Sequence, residues 1–144
     1  MGASMARLGR RGLLALVMLT VAACAGSGSD QAAPPAKSFF VFFAVDSAEL
    51  MPEAAEVIDR IAAEAKRIQA TGVGIVGYAS PAGTPAHNLR LSDHRATAVE
   101  VALLQRGVPR DIVVRTHHGA TPVVGPEIEG QRVEVVVSRE NLRR

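Results

Sequence analysis

The sequence predicts an α+β fold: a single mixed sheet with two helices packed on one face, in the order β-α-β-α-β-β. Three observations carry that expectation. Four short runs of β-forming residues stand at 38–45, 73–78, 112–116 and 132–137. Two longer stretches between them repeat their apolar residues at helical spacing. The chain has 144 residues, enough for one domain with a sizeable core. Two helices laid on one face of a sheet is how that order buries its apolar surface, and no internal repeat interrupts it.

Residues 1–23 read as an export signal, with Arg7, Arg10 and Arg11 first, an apolar run over 13–19, then small residues. A spanning helix needs about 20 apolar residues, and this run ends sooner at Thr20. The residues Val21-Ala22-Ala23-Cys24 resemble the lipobox of bacterial lipoproteins. That resemblance implies cleavage before Cys24, lipidation of its thiol, and an anchor worth about 0.8 kcal/mol per buried methylene. Ala25, where an aspartate would hold the protein back, implies sorting to the outer membrane with the folded body in the periplasm. Cys24 is the only cysteine, which excludes an intrachain disulfide or a multi-cysteine metal cage. Residues 24–37 are small and rich in Pro, Gly and Ser, a tether with nothing to bury.

The body, residues 38–144, follows. Residues 38–45 (SFFVFFAV) form a nearly continuous apolar run, read as a buried strand ended by Asp46 and Ser47. Pro52 opens a helix, with Glu53 and Glu56 at its positive end. Ala54, Val57 or Ile58, Ile61, Ala65 and Ile68 form its core face. The second strand, 73–78, lies between Gly72 and the Ser80-Pro81 turn. A second helix stops at Gly107, with Pro109 just beyond. Residues 112–116 make a third strand, and a loop with Gly119, Pro122, Gly125 and Pro126 leads to the fourth. There Arg132, Glu134 and Val136 alternate with Val133, Val135 and Val137, which predicts an edge or one-sided position.

Charge and composition exclude several functions. Setting aside Arg7, Arg10 and Arg11 turns 16 basic against 14 acidic residues into 13 against 14, so the body carries no phosphate-binding excess. Aromatics are only 3% of the chain and cluster at Phe39, Phe40, Phe42 and Phe43, leaving no spread of base-stacking positions. Nucleic acid is therefore not an expected partner. His87 and His94 are seven apart on a helix, and His117 and His118, adjacent on a strand, point to opposite faces, so no metal site is expected. Ser80 and Ser92 lack both the strained elbow and the His/Asp grouping of a hydrolase. No catalytic constellation and no cofactor site emerges.

One charge is out of place. At 100° per residue, Asn88, Leu91, Ser92, Arg95, Ala96, Val99 and Leu103 share one face of the second helix. Arg95 thus sits among apolar residues, and a guanidinium there cannot shed its charge. It needs an internal carboxylate, a route to solvent, or a pocket where an anionic ligand supplies the partner. Asn88 and Ser92 on the same line, and the Gly/Pro loop feeding the helix N-terminus, favour the pocket.

The spacing Asn88-x-x-Leu91-Ser92-x-x-Arg95-Ala96-x-x-Val99-x-x-x-Leu103 resembles the peptidoglycan-binding signature of the OmpA-like C-terminal domain family, which includes the peptidoglycan-associated lipoproteins and the flagellar stator protein MotB. Phe43-x-x-Asp46-Ser47-Ala48-x-Leu50-x-Pro52, Gly77-Tyr78-Ala79 and Arg132-Val133-Glu134 extend the resemblance over about residues 42–137. It implies non-covalent binding of the cell-wall stem peptide at its diaminopimelate, with Arg95 pairing a ligand carboxylate. The family's ammonium-binding aspartate aligns with Ser80. Ala44 replaces an acid after Phe43, and Gly130-Gln131-Arg132 stands where the family has Asn-Arg-Arg. The binding residues so implied are Arg95, Ser80, Asn88, Leu91, Ser92, Asp46 and Arg132. Two functions follow as expectations: an outer-membrane lipoprotein that clamps the membrane to peptidoglycan, or a structural or protein-interaction module of the same fold, meeting envelope proteins, with wall binding weakened or lost through Ser80.

Overall fold

The computed structural model describes residues 35–121 and 130–142; Cys24, the signal segment, most of the tether and the Pro122–Pro126 portion of the last loop lie outside them. The elements are β1 (Lys37–Phe42), α1 (Pro52–Arg67), β2 (Gly72–Ala79), α2 (Pro85–Gln105), β3 (Val113–Ala120) and β4 (Arg132–Ser138), with a single 3-10 turn at Arg110–Ile112 before β3. The predicted order of six elements is the observed one. No helix among the described residues is long and apolar enough to cross a membrane.

Each helix starts and stops where its ends demand. Pro52 opens α1 with Glu53 in the first turn, and Lys66 and Arg67 sit at its carbonyl end. Pro85 opens α2 behind Thr84, whose hydroxyl accepts from the His87 backbone N–H at 3.2 Å. The α1 stripe that enters the core is Ala54, Ile58, Ile61 and Ala65, followed by Ile68.

The strands lie in the order β1-β4-β2-β3. β2 and β3 are parallel, joined across α2, and β4 runs antiparallel to both β1 and β2. The sheet is therefore mixed, with a core formed by Val41, Val73, Ile75, Val133, Val135 and Val137 against the helix residues Ile58, Ile61, Ala96, Val99 and Leu103.

Two expectations about the strands are sharpened or corrected. Of the two positions expected of β4, an edge or a one-sided place, it takes the second: it inserts between β1 and β2, burying Val133, Val135 and Val137 while Arg132, Glu134 and Val136 stay half-buried on the other face. β1 is an edge strand, as is β3, and it is not fully buried, since Phe40 and Phe42 stand 43% and 38% exposed. β1 also ends at Phe42 rather than residue 45, because residues 44–47 turn away. β3 runs on from Val113 to Ala120 through His117 and His118, and Ile112 belongs to the 3-10 turn.

Gly77 explains how closely α2 sits on β2. A Cβ there would lie 2.0 Å from the Ser92 carbonyl oxygen, so only glycine lets the middle of the helix rest on the strand. Ser92 fixes the other side. Its hydroxyl donates to the Leu89 carbonyl at 2.8 Å and accepts from the Gly119 N–H at 2.9 Å, tying α2 to the end of β3.

Candidate functional site

At the end of the sheet where β2 feeds α2, a cavity of about 260 Å³ opens between the 44–47 turn, the 80–83 loop and the first two turns of α2. Asp46, Ser80, Asn88, Leu91 and Arg95 all line it. Five of the seven residues expected to bind are thus brought together. The two others are placed elsewhere: Ser92 is buried as the α2–β3 tie, and Arg132 lies on β4 with its guanidinium 4.8 Å from the Tyr78 ring centre and 5.9 Å from that of Phe40.

Arg95 forms the floor and is wholly enclosed. It meets no carboxylate there. Its Nε donates to the Ser47 carbonyl at 2.8 Å, Nη1 to that of Tyr78 at 3.1 Å, and Nη2 to that of Ala44 at 2.9 Å. The guanidinium also stands 5.4 Å from the centre of the Phe43 ring. Burial pushes the Arg95 pKa below the ordinary arginine value, and the nearby charge of Asp46 partly restores it. A guanidinium nonetheless keeps its proton, so the floor of the cavity carries a fixed positive charge wrapped in carbonyl dipoles. The expectation of an anion brought by a ligand is thus modified: backbone oxygens already satisfy three of the five N–H groups.

Tyr78 can lend its carbonyl because the β2–β3 pairing shifts register between Gly77 and Ala79, leaving residue 78 without a partner in the parallel ladder. The Ala44 and Ser47 carbonyls belong to a turn closed by the Ser47 N–H at 3.2 Å from Ala44 O. Asp46, inside that turn, takes φ of 52°, a left-handed conformation that Asp and Asn tolerate. Its carboxylate lies 2.6 Å from His87 Nε2 and remains 67% exposed. Ser80, half-buried, accepts from the Ala82 N–H at 3.3 Å, so its hydroxyl shapes its own loop. Asn88 is buried beneath Gly83, where a Cβ would come 3.4 Å from Asn88 Oδ1.

Of the five lining residues outside the expected set, Val45, Ala82, Gly83, His87 and Gln131, two bring polar side chains. His87 was weighed only as a metal ligand, yet it is the partner of Asp46; its place in the first turn of α2, next to Asn88, was the available signal. Gln131, nearly buried at the start of β4, joins the wall, and its carbonyl accepts from the Phe43 N–H at 2.8 Å. The adjacent pair His117 and His118 points apart as expected: His117 lies 3.4 Å from Asp93 of α2, while His118 stacks on Tyr78 at 5.6 Å across the opposite face. Among the described residues, no three His, Cys, Asp or Glu side chains group as metal ligands.

Residues 42–134 match the OmpA family. Outer membrane protein P5 of Haemophilus influenzae is 35% identical over 86 residues, which are 59% of this chain and 24% of that protein. A peptidoglycan-associated lipoprotein of Rhizobium meliloti (strain 1021) is 32% identical over 117 residues, 67% of this chain and 66% of the relative. The chain thus spans about a quarter of the first relative's length and about two thirds of the second's. The fold superimposes on the OmpA-like domain of FopA1 from Francisella tularensis subsp. tularensis SCHU S4 with a TM-score of 0.66 at 27% identity, covering 72% of each chain.

Proposed function

The chain belongs to the OmpA family, and from that premise we propose that it is a non-catalytic envelope protein. It binds the stem peptide of peptidoglycan and, through a lipid on Cys24, ties the outer membrane to the wall. The observation that carries this reading is the convergence of Asp46, Ser80, Asn88, Leu91 and Arg95, from three separate segments, on one cavity. A stem peptide presents carboxylates and an ammonium within a few bonds of one another. The cavity offers a carboxylate, a fixed buried cation, the apolar wall of Leu91 and the N-terminal turn of α2. Relatives named as outer membrane proteins and as peptidoglycan-associated lipoproteins support the same reading.

The test is co-sedimentation of the full chain, held in mild detergent, with purified sacculi, and its release by excess soluble stem peptide. Protein that stays in the supernatant overturns the proposal. The second reading, a structural or protein-interaction module with wall binding weakened, draws on two observations. Arg95 is enclosed and Ser80 brings no charge. It predicts a folded protein that fails to sediment.

A further inference from the structure

Of the two full charges that Asp46 and Arg95 bring to the cavity, only one is presented outward. Arg95 is enclosed, and its three carbonyl bonds anchor both ends of the 44–47 turn as well as the end of β2. Asp46 is the residue that this turn displays. The Arg95 bonds to Ala44 and Ser47 bracket it, the Ser47 N–H closes the turn, and the positive φ sets its carboxylate on the cavity wall. A buried cation is thus used to fix an exposed anion in place. Across the cavity the 80–83 loop contributes only the Ser80 hydroxyl, already engaged with Ala82.

Resting on the peptidoglycan reading, we propose that Asp46 is the residue that recognises the ligand, by accepting hydrogen bonds from a primary ammonium on the stem peptide. His87, 2.6 Å away, occupies that place on the carboxylate until the ammonium arrives. The anionic pole that Ser80 does not supply is thereby provided from the opposite side of the cavity. Arg95 acts as a positioning residue behind it. The ligand's own carboxylate is left to the positive end of the α2 dipole.

The test is a calorimetric titration of the full chain in mild detergent with N-acetyl-L-alanyl-γ-D-glutamyl-meso-diaminopimelate, whose one free amine is on the diaminopimelate, and with the same peptide acetylated there as well. Asp46→Asn is the variant of choice, since asparagine is nearly isosteric and accepts the left-handed backbone; an unchanged melting curve verifies the fold. A charge-assisted hydrogen bond supports a loss of about ten- to a hundredfold in affinity for Asp46→Asn. Acetylation of the peptide costs wild type a similar factor but costs Asp46→Asn little more, because both changes remove one interaction. Adding Ser80→Asp to Asp46→Asn restores affinity for the free amine by returning an anion to the cavity. Wild-type affinity in Asp46→Asn, or full acetylation sensitivity in that variant, overturns the assignment while leaving wall binding intact. A wild-type chain that binds neither peptide removes the peptidoglycan reading and this inference with it.

Discussion

Replacing Arg95 by methionine removes a charge and keeps most of the volume, and the structure sets the size of the effect. Three carbonyls lose a donor. That of Ala44 retains the Ser47 N–H, so two, those of Ser47 and Tyr78, lose a partner in a half-buried place. Each costs about 1–3 kcal/mol, or about 2–6 kcal/mol together. Against this, the folded state no longer has to strip water from a guanidinium, a penalty of several kcal/mol that was only partly offset by carbonyl dipoles. With that relief taken as about half of the cost, the net loss is about 1–3 kcal/mol, equivalent to a fall in melting temperature on the order of 5–20 °C for a domain of this size. Urea unfolding followed by far-ultraviolet circular dichroism reads it as a lower midpoint with an unchanged slope. Arg95→Lys is expected to recover less than half of the difference, since a single ammonium cannot span three carbonyls arranged for a planar fork. A methionine variant within about 0.5 kcal/mol of wild type refutes the reasoning, because it would mean that the 44–47 turn stands without its clamp.

Three further outcomes follow from other parts of the molecule. Tyr78 is the only tyrosine and there is no tryptophan, so absorbance at 295 nm reports it alone; desolvation, and then the charge of Glu134, hold its pKa above the ordinary value, against the opposing pull of Arg132. The neutral phenol is the favoured form, so this contribution to stability is complete below about pH 10, the unfolded value, and is lost as pH rises through the higher folded value. Glu134→Gln should move the titration down and Arg132→Gln should move it up; a midpoint at or below that of free tyrosine contradicts the burial argument. Gly77→Ala places a Cβ against a backbone oxygen that cannot move without lifting α2, and is expected to cost about 3 kcal/mol or more, read by thermal melting. Cys24→Ser should abolish incorporation of labelled palmitate in cells and release the chain from the membrane fraction, and label retained by the serine variant would disprove the lipobox reading.

The fold was legible because the two periodicities were clean. Ile58, Ile61 and Ala65 could face the core only from a helix, and Val133, Val135 and Val137 only from a strand. Lateral position in the sheet was not legible. Alternation along β4 records which faces are buried, and an interior strand of a sheet covered on one side alternates just as an edge does. The apolar run of β1 misled for the complementary reason: Phe40 and Phe42 project from the uncovered face, where a large ring gains from contact with the Arg132 stem and its neighbours without being sealed from water. Neither fact is local, since both follow from β4 returning between β1 and β2.

The site was legible in one respect and opaque in another, and the difference lies in what each residue needs. Asn88, Leu91 and Arg95 fall on one helical line, so their convergence is periodicity and nothing more. Asp46 and His87 are 41 positions apart, and they meet only because the Arg95 guanidinium gathers three carbonyls that no pattern in the sequence advertises. Arg95 is satisfied by none of an internal acid, a route to solvent or a ligand, the three partners its pattern suggested, because the backbone itself is the partner. Three oriented carbonyls provide a large part of the stabilisation of a carboxylate without adding a charge. They also leave the cation's field without a contacting acid, and the nearby charge of Asp46 supports the guanidinium from a distance. A buried positive charge that folds a loop and fixes an acid on the cavity wall can therefore serve recognition without touching the ligand.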